Sequence, residues 1–203
     1  RGSTGRGISP AYCDETGQWQ IFYQAFCEDR KLFETDLKHR VQRALDTIQY
    51  VCKVNDEDWF GFFDTLTSAE KHANHESINN QIFPKEEFDF KFFSTENPFE
   101  LNFELLENTY WEAGQRLTEC IFDIRPQILE NLNNNRSIVV EFGQAYWLDK
   151  RHGFTPSVTA SHTFSSEIFQ SVGIPMGKLT QVGCCKAYDT KVGTHHFLTQ
   201  INP

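Results

Sequence analysis

A short apolar run, Ser137-Ile138-Val139-Val140-Glu141-Phe142, ends in Gly143 and is followed at once by Gln144. A strand that ends in glycine and a polar amide puts that amide at the carboxyl edge of a sheet, where α/β folds take ligands. A Gln in that place both donates and accepts, so it can read an exocyclic atom and a ring nitrogen of one heterocycle. Further on, the turn His152-Gly153-Phe154-Thr155-Pro156 leads to Thr159 and Ser161. Their hydroxyls suit a phosphate or a ribose. The chemistry these residues point to is recognition of a small nucleotide.

Other constellations carry less. Gly173-Ile174-Pro175-Met176-Gly177-Lys178-Leu179-Thr180 looks at first like a phosphate loop. It has three residues between its glycines instead of four, Leu179 between Lys178 and Thr180, and a proline where an amide donor is needed. It reads as a turn into a strand. His72 and His75 share a helical face, but no carboxylate or cysteine joins them at ligand spacing, so they read as surface histidines and no metal site is expected. His195 and His196 are loop neighbours, suited to polar contacts better than to one shared ion. The six cysteines, Cys13, Cys27, Cys52, Cys120, Cys184 and Cys185, contain no C-x-x-C pair. They are expected to be reduced, buried and structural.

Composition narrows the function classes. Hydrophobic residues make up 39% and charged residues 23% of 203 positions, enough apolar material for a core. A net charge of −9 argues against a long nucleic acid, which needs clustered Lys and Arg. It leaves room for a nucleotide held by main-chain N–H groups and hydroxyls. No apolar run is long enough to span a membrane, and Arg1 to Gly7 has no signal-peptide core.

The elements that must position these groups fall into two parts. Residues 1–130 read as a mostly helical subdomain opening with a Gly/Ser/Pro loop over 1–12. Helical spacing runs over 19–54, with Glu28 and Asp29 fit to open a first turn, and again over 98–132, where Pro126 divides it into two helices. Residues 55–97 are irregular, with one short helix near 68–75. Residues 131–203 read as an α/β part, with strands at 137–142 and 179–188 and a short helix near 165–171. The expected fold class is α/β: a mostly helical subdomain, then part of a predominantly parallel sheet.

Three separated segments resemble the adenylosuccinate synthetases. That family's E-G-A-Q-G-x-x-L-D and H-G-x-x-P-x-V-T-S-S are matched, at the same spacing, by Glu141 to Asp149 and His152 to Ser161. Its K-A-Y-x-T-R-V-G is matched by Lys186 to Gly193, and its T-T-x-R-G-I-G-P-A-Y by Ser3 to Tyr12. The resemblance covers nearly the whole chain and is weakest over 55–97, which is either an insertion or a divergent helical cap. It implies a ligase of AMP biosynthesis that joins IMP to L-aspartate using GTP and Mg2+, in a cytoplasmic homodimer with no nucleic-acid or membrane partner. Carried over by motif, Thr4 and Thr159 would contact the IMP phosphate, Gln144 the purine near its 6-oxygen, and Leu148 the same pocket.

The resemblance places none of the family's catalytic residues in this chain. Its phosphate loop, catalytic aspartate and catalytic histidine fall before Arg1, and its guanine-recognition motif after Pro203. The start at Arg1, inside a motif and without Met, leads us to expect a central fragment. Phe142, Ala145 and Ala160 replace family glycines and a serine, and Gln18 falls near a family arginine. Three readings stay open: a piece of a working synthetase, a catalytically degenerate nucleotide binder, and a scaffold relative.

Overall fold

Helices dominate the computed structural model, which describes residues 5–190 and residues 196, 197, 199 and 201. They are α1 (Ile8–Gly17), α2 (Arg30–Asp46), α3 (Asp56–Ala73), α4 (His75–Asn79), α5 (Phe103–Gln115), α6 (Arg125–Asn133) and α7 (Glu167–Val172). The chain divides into two compact units: Ile21–Phe122, which holds α2 to α5, and the joined segments Arg1–Gln20 and Asp123–Pro203, which hold α1, α6 and α7.

Caps explain where the helices of the Ile21–Phe122 unit begin. The Asp29 side chain accepts from Lys31 N at 2.9 Å and opens α2. The Asn55 side chain accepts from Asp58 N at 2.8 Å and opens α3. Asp56, Glu57 and Asp58 then fill the first turn of α3, and Lys71 and His72 the last, each sign facing the favourable end of the helix dipole. Asn102 accepts from Leu105 N at 3.2 Å to open α5.

Helix α3 turns Trp59, Phe63 and Thr67 inward at four-residue intervals. Trp59 and Phe63 form the core with Leu45, and Val41, Ile48, Val54, Phe90, Phe99 and Leu101 pack around it. Each such side chain, fully buried, stabilises by about 1.5–3 kcal/mol. Phe33 of α2 lies between Phe26 and Trp111, with ring centroids 5.0 and 5.6 Å away. Beside it Arg30 grips the buried Glu107 with two parallel bonds, of 3.0 and 2.7 Å, which join α2 to α5.

In the other unit, Pro126 sits in the first turn of α6, where its missing N–H costs nothing. Gly173, at φ 69°, closes α7, and its carbonyl accepts from Arg125 Nε at 2.6 Å.

The structure corrects several sequence expectations. The parallel sheet is not formed among the described residues: the only pairing is an antiparallel bridge of Ser94 with Leu101. Residues 137–142 and 179–188 belong to no strand, and Val139 and Val182 stand 95% and 81% exposed. Their β-branched composition favours extended backbone, but a strand needs a neighbour to complete its hydrogen bonds. The expected fold class therefore fails at its sheet. Residues 56–73, read as mostly irregular, form the long helix α3. The opening loop becomes helical at Ile8, and all six cysteines are free and exposed, not buried.

Trp59 Nε1 is buried without a hydrogen-bond partner among the described residues. Trp59→Ala should therefore cost about 3–5 kcal/mol in urea unfolding. Trp59→Phe removes the orphan N–H together with part of the ring and should cost less than half as much. Equal losses would contradict this account of the core.

Candidate functional site

The site grows from a loop that folds on itself between Gln144 and Thr163. Leu148 O accepts from Thr159 N at 2.8 Å, and Ser161 O accepts from Lys150 N at 3.1 Å, so residues 148–150 run hydrogen-bonded beside 159–161. Between them the chain reverses at Gly153, whose N–H donates to Asp149 O at 2.9 Å. A Cβ at Gly153 would collide with the main-chain oxygens of Trp147 and Asp149, which is why this turn takes glycine. Aromatic rings brace the outside. Trp147 stacks on Phe154 at 5.1 Å, and Phe164 meets Tyr146 at 5.0 Å and His152 at 4.8 Å.

Asp149 organises the interior of the loop. Its side chain is 0% exposed. Oδ1 accepts from Arg151 N and His152 N, both at 2.9 Å. Oδ2 accepts from Thr163 N at 2.9 Å and pairs with His162 Nδ1 at 3.2 Å. Loss of water pushes the carboxyl pKa up. The main-chain donors of Thr163, Arg151 and His152, and the His162 ring, outweigh that and hold it well below the usual carboxylate range. A carboxylate with both oxygens occupied can only accept, so the hydrogen between the two side chains belongs to His162 Nδ1.

One face of this loop, together with α1 and α7, encloses an open cavity of about 430 Å³. Gln144, Lys150, Arg151, Ser161 and His162 line it from the loop, Tyr12 and Glu15 from α1, and Glu167 and Gln170 from α7. Volume and lining are of the kind that holds a small polar ligand. Lys150 also lies over the Tyr12 ring, its Nζ 6.0 Å from the centroid. Gln144 is held at φ 68°, a backbone state that an L-residue adopts only under constraint. Its Oε1 accepts from Ser161 Oγ at 3.0 Å, and Ser161 Oγ lies 3.4 Å from Thr159 Oγ1.

Of the residues singled out in the sequence, Gln144 lines the cavity. Thr159 stands behind Ser161 and is tied to Leu148 through the main chain. Thr4 and His195 lie outside the described residues. His72 and His75 are exposed with rings stacked at 6.1 Å, and no group of three or more His, Cys, Asp or Glu side chains fit to hold a metal ion occurs among the described residues. No helix among them is long and apolar enough to cross a membrane. Sequence reasoning gave no role to Asp149, Lys150, Arg151 or His162. Asp149 stood inside a recognised segment, but its burial depends on chain reversal at Gly153. Glu15 and Glu167, at distant positions, carried no sequence signal.

Comparison with known proteins agrees with the motif reading. A family model described as adenylosuccinate synthetase matches residues 68–203. The adenylosuccinate synthetase of Lactobacillus acidophilus is 32% identical over 152 residues, which cover 74% of this chain and 32% of the relative. That of a Bacillus cereus strain is 29% identical over 202 residues, covering 99% and 37%. The chain thus spans about a third of the length of the curated relatives it matches.

The geometry around Asp149 fixes a pH response. Its folded pKa is depressed, so the stability it contributes is complete above the unfolded carboxyl value of about 4 and drains away as pH falls below it. Asp149→Asn should lower unfolding free energy at pH 7 by on the order of 3 kcal/mol, through loss of a buried charge and its donors. In urea titrations the gap between wild type and variant should narrow toward pH 3. A gap independent of pH would contradict the assignment.

Proposed function

The chain belongs to the adenylosuccinate synthetase family, and from that premise we propose that it forms the nucleotide-facing part of a ligase acting in purine biosynthesis. The reaction would join IMP to L-aspartate at the expense of GTP: phosphoryl transfer activates the purine 6-oxygen, and the aspartate amine displaces it. The observation that carries this reading is Gln144, held in a left-handed backbone state with its amide on the wall of the cavity. In this proposal Gln144 bonds the purine near its 6-oxygen, Thr159 and Thr4 take the IMP phosphate, and Leu148 borders the base.

The proposed role of this segment is binding. The groups that move protons and the phosphoryl group are proposed to come from elsewhere in the full protein, as is the site for GTP with its Mg2+. Among the described residues no group of three or more His, Cys, Asp or Glu side chains could hold a metal ion. A cytoplasmic homodimer belongs to the same proposal.

A second reading has one observation in its favour. Gln18, which ends α1 at φ 60°, falls near the family arginine that reaches IMP. A neutral amide cannot replace a bidentate guanidinium on phosphate. This favours a relative that still binds the nucleotide but turns it over slowly or not at all.

Calorimetric titration of the chain with IMP tests the binding that both readings require. Saturable binding is expected, and Gln144→Ala should weaken it about tenfold, the worth of one good hydrogen bond to a ligand. Absence of binding, or an affinity unchanged by Gln144→Ala, would overturn the proposal.

A further inference from the structure

Cys184 and Cys185, both exposed and outside the lining of the loop cavity, are neighbours in the chain. The other four cysteines sit on separate elements: Cys13 in α1, Cys27 in the turn Tyr23–Cys27, Cys52 just after Thr47–Val51, and Cys120 in the turn Thr118–Cys120. Adjacent residues have Cα atoms about 3.8 Å apart across a trans peptide, whatever the fold around them. A relaxed disulfide needs about 4.4–6.8 Å, so a bond between these two sulfurs would be strained and easily reduced. The pair therefore stays as two thiols at close quarters, a two-point donor of soft sulfur.

The local chain lets the two thiols turn to one side. No main-chain hydrogen bond joins residues 175–188 to another described residue. Gly183 stands in open space, with nothing within 4 Å of where a Cβ would lie. Zinc would ask for four ligands, and no group of three or more His, Cys, Asp or Glu side chains fit to hold a metal ion occurs among the described residues. What two thiols complete without a third ligand is a trivalent arsenic that keeps one carbon substituent. We propose that Cys184 and Cys185 form a chelating modification site for monosubstituted trivalent arsenicals, independent of the nucleotide reading. In the binding step two S–H bonds and the arsenic–oxygen double bond break, and two As–S bonds form. Both thiol protons leave with the oxygen as water, and arsenic and sulfur keep their oxidation states.

The test titrates the chain with phenylarsine oxide and follows accessible thiols and intact mass. One equivalent should mask two of the six thiols. The complex should survive excess glutathione and be released by dimercaptopropanol, because only another dithiol matches a two-point attachment. Trypsin should leave the phenylarsenic group on Leu179–Lys186, the peptide that holds both cysteines. Cys184→Ser and Cys185→Ser, each at an exposed position, should weaken binding on the order of 100-fold and make what remains removable by glutathione. Absence of binding by wild type, or its release by glutathione, would overturn the proposal. So would finding the group on any other peptide, or full affinity in one of the serine variants.

Discussion

The Asp149 carboxylate lies where water cannot reach it and must find its donors within the chain. It finds three main-chain N–H groups and one imidazole. Those donors come from both sides of a chain reversal, Arg151 and His152 just after the aspartate and His162 and Thr163 on the returning arm. An unpaired buried charge is far more costly than the conformational entropy of ordering a few residues, so the loop closes around it. Closure brings Ser161 behind Gln144 and sets Lys150, Arg151 and His162 on one wall. The arrangement of this cavity wall thus follows from the placement of one charge.

The Ile21–Phe122 unit depends on a different balance. Its core is aromatic, built on Trp59, Phe63 and the Phe26–Phe33–Trp111 group. Its buried carboxylate, Glu107, is matched by a two-pronged guanidinium from Arg30. Rings supply area, and the ion pair fixes how α2 and α5 meet, since a fork-to-fork bond tolerates little misalignment. In both units a buried acid with every oxygen occupied specifies geometry that apolar contact leaves loose.

What could be read from the sequence, and what could not, divides along the range of the interactions. Local signals worked where one residue sets the backbone: Pro126 lies in the first turn of α6, and Asp29, read as fit to open a helix, caps α2. The same kind of signal was present and underread at Asn55-Asp56-Glu57-Asp58, where a cap followed by three acids announces α3 more strongly than the scattered aromatics around it suggest loops. Two strand expectations failed because strand propensity is conditional on a partner that no local pattern supplies. The burial of Asp149 was invisible for a related reason: it depends on residues up to fourteen positions away, brought back by a turn that only a glycine permits. Family resemblance identified this segment correctly but did not say which of its residues holds it together.

Main-chain hydrogen exchange at Arg151, His152 and Thr163, followed in wild type and in Asp149→Ala under native conditions, tests the central claim most directly. If the buried carboxylate holds the cavity wall, all three amides exchange slowly in wild type and on the order of 100-fold faster in the variant, while amides within α2 and α3 keep their rates. Unchanged protection at those three positions in the variant would contradict the account.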